Sequence, residues 1–229
     1  MRILRTDMNL VKLDQKSSPH YFFDIARLHI EEIHHGFLPL LGEDFLSRLY
    51  YEMAQLSNTG LWIAKENDKI LGFILGTSDF RKSYFKVFKK AWFALSMMGV
   101  RSLFKNKVFK KLPAILAYPF HQYSEEKNEN KNQRNSNAEL LSIGVHIDAQ
   151  GKGVGKMLVL TFEQALVEWG KKGLYFVTTN LDDQNSNAFY RKMGFIPCGK
   201  QKHNDLILQV YEKEIPIHSK NQERILVNE

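Results

Sequence analysis

An apolar run, Ala138-Glu139-Leu140-Leu141-Ser142-Ile143-Gly144-Val145, leads into a turn in which glycine alternates with other residues, Gln150-Gly151-Lys152-Gly153-Val154-Gly155. The turn then opens a stretch with helical periodicity. No other part of the chain constrains the fold as tightly. A strand must hand over to a helix through residues that accept left-handed backbone and leave no Cβ above their N–H groups. The first turn of such a helix presents N–H groups with no intrahelical acceptor, at the positive end of the helix dipole. A strand, glycine turn and helix in this order form an anion seat, suited above all to a pyrophosphate.

Spacing narrows the ligand. A P-loop requires G-x-x-x-x-G-K-[ST], which does not occur in this sequence. A dinucleotide turn requires G-x-G-x-x-G, whereas here the glycines fall as G-x-G-x-G after Gln150. A second apolar strand ends in Phe176-Val177-Thr178-Thr179-Asn180, and Asn187-Ala188-Phe189-Tyr190-Arg191-Lys192-Met193-Gly194-Phe195 follows. The pair of motifs, Q-x-x-G-x-G and then N-A-F-Y-R-K-M-G-F, resembles the GNAT family of N-acetyltransferases. The resemblance covers these two stretches and the strands before them.

The resemblance implies an α/β (α+β) GNAT fold, with a mixed, mostly antiparallel central sheet flanked by helices. It also implies acetyl-CoA as co-substrate and an amine as acceptor. The cradle for the CoA diphosphate would be Gln150, Gly151, Lys152, Gly153, Val154, Gly155 and Lys156. The main chain of Val145, His146 and Ile147 would pair with the pantetheine amides as an added strand does. Asn180 and Asn187 match family positions near the cofactor, or serve as loop and helix caps. Tyr190 aligns with the tyrosine that protonates the departing thiolate. Glu139 stands where the histone-modifying branch keeps its general base, or is a solvated carboxylate at a strand edge. His146 could act through water instead, and His34 and His35 would face the acceptor side or lie in an ordinary loop. Cys198 has no histidine partner to make it a nucleophile. The histidines form no metal-binding spacing, so no metal is expected.

The order of elements agrees with this fold. A strand over Ile3–Leu13 precedes a helix with Phe22, Ile25, Ala26, Leu28, His29 and Ile33 on its inner face. Gly36 and Pro39 break the pattern, and a second helix begins near Gly42 with Phe45, Leu46, Leu49, Tyr50 and Met53 inward. Leu61–Lys65 and Ile70–Gly76 read as a hairpin. The helix over Gly153–Trp169 would turn Met157, Leu158, Leu160, Thr161, Ala165, Leu166 and Trp169 inward. Leu174–Thr179 is the next strand, a short helix ends at Gly194, and Phe195–Gly199 with Leu206–Glu212 closes the sheet as a hairpin.

The resemblance thus implies a single N-acetyltransferase domain over residues 1–216, with a polar tail over 217–229. Ten of the 32 Lys/Arg and none of the 25 Asp/Glu fall between Phe80 and Ser124, so the basicity is local. Aromatics at 84, 85, 88, 92 and 93 recur there at helical spacing, which predicts basic amphipathic helices inserted before the motif strand. Three uses are open for this insertion: a lid, a surface for an anionic acceptor such as a nucleotide-linked amino sugar, or contact with an anionic membrane. Nucleic acid is the weaker partner, and a homodimer is left open. Residues 125–137 are polar and Asn-rich and predict a mobile loop.

A single cysteine fits a reducing cytosol. The opening residues show no apolar signal core and no run spans a bilayer, so a cytoplasmic protein, peripheral to the membrane at most, is expected. The acceptor is expected to be a small-molecule amine such as an amino sugar. The alternatives are a protein or peptide amine, or a non-catalytic CoA-binding or membrane-surface module of the same fold.

Overall fold

The computed structural model describes residues 8–33, 38–83, 86, 137–203 and 206–217. The basic insertion expected over 80–124 lies outside them beyond residue 86. So do the loop 125–136, the tail from 218, and His34 and His35.

Among the described residues seven strands form one sheet, β1 (Met8–Leu13), β2 (Thr59–Glu66), β3 (Lys69–Thr77), β4 (Ala138–Val145), β5 (Leu174–Asn180), β6 (Ile196–His203) and β7 (Leu206–Glu214), in the order β1-β2-β3-β4-β5-β7-β6. Every neighbouring pair is antiparallel except β4 with β5. The hairpin between β2 and β3 turns at Asn67, the one non-glycine described with positive φ. The closing hairpin runs longer on both arms than its apolar residues predict, because β7 is held along the whole of β5.

Each face of the sheet carries its own core. On one side lie α1 (Pro19–Glu32) and α2 (Glu43–Ala54), joined through a 3-10 turn at Leu38–Leu41. Pro19 opens α1 at a position where its missing N–H is harmless. Phe22, Ile25, Ala26, Leu28 and His29 of α1 meet Leu46, Tyr50 and Met53 of α2 over Leu61, Ile63, Phe73 and Leu75 of β2 and β3. This is the inner face that the period predicts, apart from Ile33 and Leu49, which are only partly buried, and Phe45, which stays half-buried outside the core.

On the other side lie α3 (Val154–Glu168) and α4 (Gln184–Lys192). Val154, Leu158, Val159, Phe162, Ala165 and Leu166 of α3 pack on Trp62, Ile74, Leu140, Tyr175 and Val177. Phe162 is central, with ring centroids 5.7 Å from Tyr175 and 6.4 Å from Trp62. Leu160, expected inward, is 47% exposed. The buried positions 154, 158, 162 and 165 set the inner stripe, and 160 falls on the opposite side of the helix.

One polar group is built into this second core. The Glu163 carboxylate, 4% exposed, accepts from the Tyr175 hydroxyl at 2.5 Å and pairs with Lys213 Nζ at 2.6 Å. Burial, and then the Glu163 charge, push the Tyr175 hydroxyl far above its usual range, so it stays a donor. Glu163→Leu would leave Lys213 and the fully buried Tyr175 without this partner. A loss of about 3 kcal/mol in urea denaturation is expected, because one half of a buried pair is stranded.

Candidate active site

The strands that carry the two motifs separate. β4 pairs with β5 only at Ala138–Tyr175, Glu139–Phe176 and Leu140–Val177. Beyond these rungs β4 stays with β3 up to Val145, while β5 stays with β7 up to Asn180. A bulge marks the parting point: Gly76 faces Leu140 and Leu75 faces Ser142, so Leu141 is the extra residue. A bulge bends its strand and raises the local twist. The result is a wedge with its apex at Leu140 and Val177 and with main-chain groups along both open edges. Such edges need partners, and an extended chain with amides of its own supplies them.

The glycine turn lies at the mouth of this wedge. β4 ends at Val145, and Ile147–Ala149 form a 3-10 turn, so Ile147 leaves the strand line that the sequence suggests for it. Gly151 and Gly153 have φ of +74° and +86°, and a Cβ on either would meet nothing within 4 Å. Glycine is required at both for its backbone freedom, whereas Gly155 is required for space. A Cβ there would lie 3.2 Å from the Phe189 ring and 3.6 Å from Val145.

Gly153 begins α3 without a side-chain cap. The backbone bonds of the turn are Gln150 N–H to Ile147 and Lys152 N–H to Ala149, and Met157 is the first helical residue to bond back, to Gly153. Among the described residues, the N–H groups of Gly151, Gly153, Val154, Gly155 and Lys156 find no protein acceptor. Five such donors at and just before a helix start, with exposed Lys152 and Lys156 beside them, suit a phosphate-bearing group. Val154 itself is buried, and packs at the foot of the seat.

Glu32, at the end of α1, locks the turn, and nothing in the local sequence signals it. Its carboxylate accepts from Ile147 N–H at 2.9 Å and from Gln150 Nε2 at 3.0 Å. The same Gln150 amide donates to the Val145 carbonyl at 3.1 Å. Gln150 therefore ties the strand end to α1 across the wedge mouth. His146 points elsewhere: its Nδ1 accepts from Asp148 N–H at 3.2 Å, and it lines a cavity of about 280 Å³ with Asp24, Arg27, Asp68 and Lys69.

The second motif builds the other wall. Asp183 caps α4 by accepting from Ser186 N–H at 3.0 Å. Asn187, 6% exposed, donates to the carbonyls of Asn180, Leu181 and Asp183 and accepts from the Tyr211 hydroxyl at 2.8 Å. Its amide clamps α4 onto the end of β5, beside a cavity of about 360 Å³ that it lines with Leu181, Gln184 and Arg191. Asn180 caps the same loop by accepting from Asp182 N–H at 3.1 Å.

Tyr190 is 5% exposed, between Phe189, Phe195 and Tyr211. No described residue bonds its hydroxyl. Burial, and then the charge of Asp183, hold that hydroxyl well above the usual tyrosine range, so it keeps its proton. Glu139 is 4% exposed on the last closed rungs, opposite Thr77 and Phe176. Its neighbours Ala138 and Leu140 pack toward α3, so Glu139 belongs to the α1–α2 face. Cys198 lies on the edge strand β6, remote from the wedge. Among the described residues no cluster of three His, Cys, Asp or Glu is placed to hold a metal, and no helix is long and apolar enough to cross a membrane.

Three further residues meet on the α1–α2 face of the wedge. Ser142, one residue past the bulge, lies 3.2 Å from the Tyr50 hydroxyl, which lies 2.6 Å from His29 Nδ1. His29 is 3% exposed, and burial lowers its pKa from 6.5 to about 4. The unfolded chain therefore takes up a proton that the folded chain refuses. Stability from this site is complete above about pH 6.5 and declines as the pH falls toward 4, by about 3 kcal/mol in all. Denaturation of the parent and of His29→Phe from pH 7 to 4 should show this slope in the parent and its loss in the variant.

The comparisons with known proteins agree with this geometry. Residues 115–195 match the family model described as the acetyltransferase (GNAT) family. No curated protein matches the chain. Among solved structures, the ribosomal-protein-S18-alanine N-acetyltransferase of Escherichia coli superposes with a TM-score of 0.54 at 10% identity, over 93% of this chain and 97% of that one. A Salmonella typhimurium protein solved with its cofactor acetyl-CoA gives 0.54 at 13% identity, over 93% and 97%. An aminoglycoside acetyltransferase from an uncultured soil metagenomic sample, in complex with trehalose, gives 0.50 at 15% identity, over 87% and 94%. At these identities the likeness is one of fold, and it includes proteins named for protein and for small-molecule acceptors.

Proposed function

We propose that this chain, which carries a GNAT acetyltransferase domain, moves an acetyl group from acetyl-CoA to a primary amine by direct attack while both substrates are bound. The observation that carries the reading is the pairing of an open strand wedge with five N–H groups at its mouth that no described residue accepts from. One feature suits the amide-bearing arm of the cofactor and the other its diphosphate. The Salmonella typhimurium relative is named with acetyl-CoA, which supports the same donor here.

Each residue then has a task. Gly151, Gly153, Val154, Gly155 and Lys156 offer main-chain N–H groups to the diphosphate, and Lys152 and Lys156 add charge. Val145 pairs with the pantetheine arm, which requires the Gln150 amide to leave the Val145 carbonyl. Asn187 and Asn180 act by fixing the β5–α4 junction. Acetyl-CoA supplies the activated thioester when bound. An N–H of β4 at the bulge meets the carbonyl oxygen as negative charge develops on it. Tyr190 gives its proton to the departing sulfur. The acceptor must lose a proton before it attacks, and Glu139, buried on the last closed rungs of the wedge, is the carboxylate we assign to take it. His146 is turned toward its own cavity, which favours Glu139 over it.

The acceptor we favour is a small amine such as an amino sugar. The basic segment over 80–124 lies between β3 and β4 in the sequence and would recognise an anionic group on that acceptor, or rest on an anionic membrane. A cytoplasmic location goes with this reading. Radiolabelled acetyl-CoA with panels of amino sugars, polyamines and peptides tests it. Labelled amino sugar supports the proposal, label on peptides alone moves it to the runner-up, and binding without transfer to any amine supports a non-catalytic module.

A further inference from the structure

His29, Tyr50 and Ser142 come from three separate elements, α1, α2 and β4, and form one hydrogen-bonded line that ends at the wedge. The direction of the line follows from its buried end. His29 Nε2 is buried with no partner among the described residues. An N–H stranded there would lose its hydrogen bond outright, so the ring proton belongs on Nδ1, where the Tyr50 oxygen accepts it at 2.6 Å. Tyr50 then donates its own proton to Ser142 Oγ at 3.2 Å. Ser142 Oγ also lies 3.4 Å from His29 Nδ1, a longer contact that the filled Nδ1–H leaves weak. Burial keeps Tyr50 protonated and His29 neutral, so the line holds its direction at neutral pH.

Ser142 is the only member of the line with an appreciable solvent-exposed surface. Its oxygen is filled by Tyr50, and its own O–H remains to be given. It sits two residues beyond the last closed rung, at the apex of the wedge, on the α1–α2 face. Tyr190 packs in the opposite core, with α3. Tyr190 and Ser142 thus belong to opposite faces of the sheet, and Ser142 stands at the end of an oriented chain. Successive hydrogen bonds of one direction polarise each other, which strengthens the terminal donor.

We propose that the Ser142 hydroxyl donates a hydrogen bond to the acetyl carbonyl oxygen, with Tyr50 and His29 as positioning residues that aim it. This rests on the acetyl-CoA reading above. As the amine nitrogen bonds to the carbonyl carbon, the carbonyl π pair moves onto oxygen, and the Ser142 hydrogen bond shortens. When that pair returns, the carbon–sulfur bond breaks, the sulfur takes the Tyr190 proton, and the proton shed by the newly bonded nitrogen restores the tyrosine. No proton leaves Ser142, so its role is that of a fixed donor to developing charge.

Carbonyl-labelled acetyl-CoA, bound to the full chain and read by isotope-edited infrared spectroscopy, tests the contact without any acceptor. The carbonyl band should lie at lower wavenumber in the parent than in Ser142→Ala, and Ser142→Thr should restore it. With a working acceptor, Ser142→Ala should lower kcat about 100-fold. Calorimetric affinity for CoA, which has no acetyl group, should not change. Tyr50→Phe keeps its ring against Phe73 but breaks the line, and should move band and kcat in the same direction by less. A band and kcat unchanged in Ser142→Ala, with acetyl-CoA bound, overturn the proposal and leave the donor reading intact. Failure of the parent to bind either CoA or acetyl-CoA removes the donor reading and the proposal together. Should Ser142→Ala not fold, Tyr50→Phe decides by the same band.

Discussion

Tyr190→Phe is expected to lower acetyl transfer about 100-fold while acetyl-CoA binds as tightly as before, the range found when a positioned proton donor is removed. The substitution isolates the hydroxyl. The ring is wedged among Phe189, Phe195 and Tyr211 and would stay there. No described residue bonds the hydroxyl, so its loss strands no partner and the melting temperature should hold. The raised pKa adds a second expectation. A group that stays protonated up to and beyond pH 10 gives no falling limb to the kcat profile in the physiological range. Steady-state rates of parent and variant, with calorimetric affinities beside them, check both points. Full activity in Tyr190→Phe would transfer the proton to water or to another group.

Gly153→Glu should abolish acetyl-CoA binding in a protein that still folds. The choice of glycine matters. A side chain at Gly153 meets nothing within 4 Å, so only its φ of +86° is penalised, by about 1–2 kcal/mol. At Gly155 a side chain would also drive into Phe189, and loss of binding would be confounded with a displaced α4. A carboxylate at position 153 opposes the diphosphate inside its own seat. Like charges about 4 Å apart repel by about 4 kcal/mol in a surface dielectric, enough for a loss of well over about 100-fold. Gly153→Ala, with the strain but not the charge, should lose much less. Equal losses in both variants would mean that backbone shape alone governs the site.

Much of this molecule is legible in its sequence, and the reason is local. The candidate anion seat is written in consecutive residues, because a left-handed φ at 151 and 153 needs glycine and the helix start follows at once. The order of strands and helices follows from periodicity, and the two motifs mark both walls of the wedge. What escapes is long-range or hidden in uniform composition. The bulge at Leu141 lies within a run of apolar residues that gives no sign of an extra residue. Glu32 meets Ile147 across 115 positions, and Ser142 meets Tyr50 and His29 across 92 and 113. His29 shows in the sequence only as one more inward position on a helix. Asn187 matches a cofactor motif, yet its amide is spent on three carbonyls of its own chain. Leu160 follows the apolar pattern of α3 and still faces outward, since a helix with so many apolar residues leaves the choice of stripe to the sheet beneath it.

The split between the two cores also has a functional consequence. α1 and α2 cover the face with Glu139, Ser142 and the Glu32 lock, while α3 and α4 cover the face with the anion seat and Tyr190. In the proposed reaction the first face handles the acceptor and the acetyl oxygen, and the second handles the cofactor and its leaving sulfur. The wedge between β4 and β5 is where the two meet.

Calorimetric titration of the full chain with acetyl-CoA asks whether the wedge and its glycine turn hold the donor. Saturable binding of one molecule per chain, lost in a folded Gly153→Glu and largely kept in Gly153→Ala, is the expected result. A folded parent that gives no binding at millimolar acetyl-CoA would contradict the assignment of the wedge and its glycine turn as an acetyl-donor site.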